Sequence, residues 1–177
     1  VNSVKLNGNF EYRRDIGYMP QQARYPEQMT VSGLLNFIQD LRGEEPVYKE
    51  ELIEQFNLRA ELQKPLRVLS GGNRQKVGAT LAMMFNPSIL FLDEPTAGLD
   101  PRSSFIFKER IRKEKESGKT VLITSHIMSE LEQLADHVIF IVEGEIKYYG
   151  KIDDLLLENR QERLEGAIAK LMEEPGS

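Results

Sequence analysis

Residues 88–95 read Ser88-Ile89-Leu90-Phe91-Leu92-Asp93-Glu94-Pro95. The run from Ile89 to Leu92 is continuously apolar and too short for a core helix, so it reads as a strand buried on both faces. It ends in two adjacent carboxylates. The carboxyl end of such a strand is where open α/β sheets bind ligands. Asp93 is suited to holding Mg²⁺ through its water shell, and Glu94 to orienting and polarising an attacking water. The alternative is a polar strand end with no chemistry, since strands give way to solvated loops.

Downstream, a helix is expected after Pro101 to about Ser117, a second buried strand at Thr120–Thr124 and a helix at Ser129–Ala135. A third strand, Val138–Val142, turns at Glu143-Gly144 into Glu145–Tyr149, and one closing helix covers about Ile152 to Met172. Strands alternating with helices imply βαβ units and a parallel sheet. Upstream the pattern is helical. Thr30 is placed to cap a helix running to about Gly43, with Leu34, Leu35, Phe37, Ile38 and Leu41 on one face. A second helix spans Lys49 to Phe56, and Ser70-Gly71-Gly72 opens a third to about Phe85. Between Val1 and Tyr18, Asn7-Gly8 signals a hairpin of two short strands.

The 177 residues are 40% hydrophobic and 29% charged, enough for a sizeable core. No apolar run reaches the roughly 18–20 residues of a membrane span. With no cysteine there is neither a disulfide scaffold nor a thiolate metal site. A net charge of −5 opposes a general nucleic-acid binder.

Three further segments carry candidate chemistry. In Leu69-Ser70-Gly71-Gly72 the glycines let a ligand approach the backbone, and free N–H groups at a helix start attract phosphate. An ordinary N-cap is the competing reading. His126, in Thr124-Ser125-His126, follows the second buried strand and could reach a terminal phosphate or serve structure alone. Gln21, in Gly17-Tyr18-Met19-Pro20-Gln21, offers a carboxamide to a metal or water, or is a solvated turn residue.

The order Gln21, Ser70-Gly71-Gly72, Asp93-Glu94, Gly98-Leu99-Asp100 and His126 resembles that of an ATP-binding-cassette (ABC) ATPase, from about Ser3 to Gly150. The resemblance implies a RecA-like P-loop NTPase core, an α/β fold with a parallel sheet, carrying an α-helical subdomain. On that reading residues 1–177 form one nucleotide-binding domain. Residues 1–29 hold the Q-loop, 30–86 the helical subdomain, 87–150 the second half of the core and 151–177 a C-terminal helix. By position, Gln21 matches the Q-loop glutamine that touches Mg²⁺ and the attacking water. Ser70, Gly71 and Gly72 match the signature motif gripping ATP held by an opposite subunit, with Asn73 where glutamine is commonest. Asp93 resembles the Walker B aspartate, Glu94 the catalytic glutamate, Asp100 the D-loop aspartate and His126 the switch histidine.

The resemblance also implies ATP and Mg²⁺ as cofactors and a homodimer or paired nucleotide-binding subunit. It implies a separate membrane permease engaged near residues 22–29, and a cytoplasmic position at the inner face of the membrane, with no nucleic-acid partner. A non-transport ABC ATPase acting on ribosomes or DNA is the alternative. It is disfavoured because about fifty residues lie between Gln21 and Ser70, with no sustained heptads. One element is missing. A phosphate loop reads G-x-x-x-x-G-K-[ST], and the only Gly-Lys-Thr, Gly118-Lys119-Thr120, has Lys113 where the first glycine belongs and leads into a strand. The expectation is an N-terminally incomplete cassette lacking its first strands and Walker A loop, inactive alone, with apolar surface exposed along Ile89–Leu92 and Val121–Ile123.

Overall fold

Ile89–Asp93 forms β2, the central strand of a three-stranded parallel sheet in the computed structural model, which describes residues 10–173. Its neighbours are β1 (Ile16–Met19) and β3 (Thr120–Thr124). Met19 pairs with Leu92, Leu92 with Ile123, and Asp93 with Thr124. Parallel strands need a long crossover, which helix α4 (Pro101–Glu116) supplies between β2 and β3. The expected α/β class with a parallel sheet is therefore present.

The hairpin expected between Val1 and Tyr18 turns at Asn7-Gly8, outside the described residues; the strand expected at Ile16–Tyr18 is present as β1, which follows a 3₁₀ turn at Glu11–Asp15 and pairs in parallel with β2. One detail of the sheet differs from expectation: β2 is not buried on both faces. Leu90 and Leu92 are buried, while Phe91 between them is 36% exposed. Period-2 alternation sends these residues to opposite faces, and helix α3 (Gly71–Met83) packs on the Leu90 side only. On the other side Tyr18, Phe91 and Leu122 lie in register across the three strands, all exposed. Of the exposure expected along Ile89–Leu92 and Val121–Ile123, Phe91 and Leu122 are exposed, whereas Leu90 and Leu92 are buried.

The helical block forms as its caps dictate. Thr30 Oγ1 accepts the Gly33 N–H at 3.0 Å to start α1 (Val31–Arg42), and Gly43 ends it at φ 64°. Val31, Leu34 and Leu35 are buried, but Phe37 and Leu41 are exposed, because the buried stripe is centred on Val31–Leu34–Leu35. Helix α2 (Lys49–Gln55) buries Leu52 and Ile53. Phe56, just beyond it, stacks on Phe107 of α4 with ring centroids 5.6 Å apart. A buried ion network adds to this link: Arg110 of α4 donates to Glu114 and to Glu51 of α2, and Lys119 donates to Glu114.

The chain divides into two compact units, the first ending at Thr124 and the second starting at Ser125. In the second, α5 (Met128–Leu134) precedes β4 (His137–Val142), which pairs antiparallel with β5 (Glu145–Lys151). Val138–Val142 thus belongs to a two-stranded hairpin and not to the parallel sheet. The cause is the two-residue turn Glu143-Gly144, whose φ values of 50° and 82° suit a tight antiparallel reversal. The single closing helix is two helices, α6 (Ile152–Asn159) and α7 (Leu164–Glu173), broken at Arg160 in the left-handed region. Glu132 of α5 accepts the Leu164 N–H and pairs with Arg163, fixing the start of α7. The break lets Ile152 and Leu155 share one core with Val138, Leu164 and Ile168.

Candidate functional site

Asp93 and Glu94 stand at the carboxyl end of the central strand, both half-buried. Asp93 accepts a hydrogen bond from the Thr124 hydroxyl, its register partner on β3. Glu94 adopts φ 47°, a left-handed conformation that a non-glycine residue rarely takes and that costs about 1–2 kcal/mol. Its N–H donates to the Thr124 carbonyl at 3.0 Å and meets the Thr124 hydroxyl at 3.3 Å. Such strain, held by neighbouring groups, is typical of functional positions.

The N-terminus of α3 is tied to this turn. Gln75 Nε2 donates to the Glu94 carbonyl at 3.2 Å. A Cβ on Gly72 would lie 3.2 Å from the Gly98 carbonyl oxygen, so the missing side chain lets α3 approach the Gly98–Asp100 segment closely. Gly71 faces open space. Ser70 is the N-cap of α3, its Oγ accepting the Asn73 N–H at 3.2 Å. The N-cap reading of Ser70 is therefore present; the cap uses an oxygen lone pair and leaves the hydroxyl hydrogen to donate.

Asp100 caps α4 by accepting from the Ser103 N–H at 3.0 Å and from the Ser103 hydroxyl. The Ser103 hydroxyl bond, then the backbone bond, holds its carboxyl below the usual range. Asp100 also borders a cleft of about 450 Å³ with Lys76, Arg102, Gln55 and Asn57. Gln21 is exposed two residues beyond Met19, whose partner Leu92 precedes Asp93. A second cleft, of about 360 Å³, is lined by Arg24, Tyr25, Arg67 and Arg74. Burial pushes the Tyr25 phenol up to about 12.

His126 lies in the second unit, exposed in the bend between β3 and α5, where the Ile127 N–H donates to Ser125 Oγ at 3.1 Å. Within the first unit, then, the fold gathers Asp93, Glu94, Ser70–Gly72 and Gly98–Asp100, with Gln21 at the end of the neighbouring strand. Gln75 and Thr124 were missed as site residues. The available signals were a polar side chain on an otherwise buried helix face and a hydroxyl at the end of an apolar strand.

Among the described residues no group of three or more His, Cys, Asp or Glu is placed to hold a metal ion. One strand-end carboxylate therefore does not make an all-protein cage. It fits Mg²⁺, which keeps several waters and is bound through one or two carboxylates plus substrate phosphates. The described helices include none long and apolar enough to cross a membrane.

Comparison with known proteins gives one answer. Residues 2–97 match the ABC transporter family. The ABC transporter ATP-binding protein NatA of Bacillus subtilis (strain 168) is 42% identical over 115 residues, covering 65% of this chain and 47% of NatA. An uncharacterized ABC transporter ATP-binding protein of Methanocaldococcus jannaschii is 32% identical over 158 residues, covering 85% of this chain and 59% of that protein. The chain thus spans about half the length of these curated relatives. A solved structure described as the ATP binding subunit of an ABC transporter superposes with a TM-score of 0.88 at 27% identity, over 97% of this chain and 75% of its own. With more than half its length matched to the family and the same fold throughout, this chain belongs to the ABC transporter family of ATP-binding proteins.

Proposed function

We propose that this chain, with its signature and Walker B segments, serves in an ATP-hydrolysing subunit that pairs with a second nucleotide-binding subunit and drives a separate membrane permease. The observation that carries the reading is the placement of Asp93 and Glu94 side by side at the carboxyl end of the central parallel strand, where the fold class binds its ligand. Asp93 would hold Mg²⁺ with Gln21. When bound, Mg²⁺ supplies Lewis-acid polarisation of phosphoryl oxygens. Glu94 orients the attacking water and accepts its proton. Ser70, with the N–H groups of Gly71 and Gly72, donates to the terminal phosphate of a nucleotide seated on the opposite subunit. Asp100 reaches toward that subunit, and His126, by its position in the motif order, takes the role of the switch histidine. The segment from residue 22 to 29 receives the permease, which places the subunit in the cytoplasm, peripheral at the inner membrane face.

The 177 residues contain no G-x-x-x-x-G-K-[ST], the loop whose N–H groups and lysine hold the β- and γ-phosphates. By itself the chain is therefore expected to bind MgATP weakly and not to turn it over, and micromolar binding by calorimetry would refute this. In the intact protein, Glu94→Gln should stop hydrolysis while preserving MgATP binding and trapping the dimer. Unchanged turnover in that variant would remove Glu94 from the role of base.

A further inference from the structure

In a strand, residues i and i+2 point to the same face. Were β2 extended by one residue, the Glu94 side chain would follow Leu92, which is 1% exposed, onto the buried face of the sheet. The left-handed turn at Glu94 redirects it. A backbone in this region persists only where its surroundings over-determine it, and here they act from both sides of the residue. The Glu94 N–H is held by Thr124 through its carbonyl at 3.0 Å and its hydroxyl at 3.3 Å. The Glu94 carbonyl accepts from Gln75 Nε2 at 3.2 Å and from the Ala97 N–H at 3.1 Å. The same Thr124 hydroxyl donates to Asp93, so one side chain sets both carboxylate residues.

Gln75 is 9% exposed on a helix that also buries Val77, Gly78 and Ala79. A carboxamide there costs desolvation unless it is bonded, and a methionine of similar length would fill the same space. What glutamine adds is the donor to the Glu94 carbonyl.

We infer that Gln75 and Thr124 are positioning residues that clamp the Glu94 peptide in its left-handed turn and thereby set the direction in which its carboxylate leaves the sheet edge. The inference rests on the reading of Glu94 as the base. Because Gln75 belongs to the helix that Ser70 caps, the clamp also fixes that helix start relative to Glu94.

The test uses the intact protein with Gln75→Met, Thr124→Val, Thr124→Ser and, as a control, Glu94→Gln. Two quantities are read: hydrogen exchange at the Glu94 amide, and kcat and KM for MgATP. Gln75→Met and Thr124→Val should each speed Glu94 exchange about fivefold, the worth of one ordinary hydrogen bond. Each should lower kcat by a similar factor with KM within about twofold, the signature of lost transition-state alignment. Thr124→Ser keeps the hydroxyl and should match the parent on both. Parent-like exchange and kcat in Gln75→Met, a rise in KM alone, or Thr124→Ser behaving as Thr124→Val would overturn the clamp. If Glu94→Gln retains turnover, the base reading falls, and the exchange measurement still judges the clamp by itself.

Discussion

Glu114 of α4 is the hub of the ion network joining the helical block to the core, so its neutralisation should cost more than loss of either cation. Its side chain is 4% exposed, as is that of Arg110, which donates from Nε at 2.6 Å; Lys119, 12% exposed, donates to the other carboxylate oxygen. Glu114→Gln leaves two nearly buried cations facing a neutral amide. Two charge-assisted bonds at about 1.5–3 kcal/mol each, or a broken buried pair at about 3–5 kcal/mol, agree on a loss near 4 kcal/mol. Arg110→Met should cost less, because Lys119 still neutralises Glu114 and what Arg110 gives up at Glu51 is a bond to a side chain that is 52% exposed. Lys119→Met should cost least. In urea, followed by far-UV circular dichroism, a loss of about 4 kcal/mol at a slope of about 2 kcal/mol/M lowers the midpoint by about 2 M. The triple replacement Arg110→Met, Glu114→Leu, Lys119→Met should recover most of that loss, since a packed apolar cluster often equals a buried ion network. A loss below about 1 kcal/mol for Glu114→Gln, or an equal loss for Lys119→Met, would refute the reasoning.

Gly17→Ala should destabilise by about 3 kcal/mol or more in thermal unfolding, because the new Cβ would lie 2.0 Å from the Ala82 carbonyl oxygen and 2.7 Å from Leu90, and backbone does not yield cheaply. Tyr25, raised by burial from 10.0 to about 12, keeps its proton longer when folded than when unfolded. Its contribution is intact below pH 10.0 and disappears between pH 10.0 and about 12. That amounts to roughly 2–3 kcal/mol, and alkaline unfolding of Tyr25→Phe should be flatter through the same window. Gly43→Ala, at φ 64°, should lose about 1 kcal/mol, whereas Arg160→Gly, at φ 52°, should gain about 0.5 kcal/mol. Paired melting curves with the same sign for these two would contradict the assignment of both as left-handed helix ends.

Local chemistry carried most of what the sequence disclosed. Thr30 and Ser70 each accept from the N–H three residues on, as a helix start requires, and the apolar runs at Ile89 and Thr120 pair in parallel. The failures share a cause, which is that continuity of pattern does not reveal where the chain reverses. Arg160 breaks the closing helix because Leu155 and Leu164 must reach one core, a tertiary demand with no glycine or proline to announce it. Val138–Val142 looked like another sheet strand because an apolar run does not name its partner, although Glu143-Gly144 already held the turn that decides it. At the site, Asp93, Glu94 and Ser70 were legible as types and spacings. The bond from Gln75 to Glu94 was not, since it joins two segments nineteen residues apart through a backbone atom.

The cross-strand row Tyr18–Phe91–Leu122 also bears on how this chain must be handled in the laboratory. A contiguous apolar face beside strand edges that are unpaired among the described residues is an adhesive surface. Concentrating or warming the 177-residue chain should drive it into assemblies and light up hydrophobic dyes, even while every helix stays formed. Phe91→Lys, at the centre of the row, should restore recovery from the column without touching the strand's hydrogen bonds.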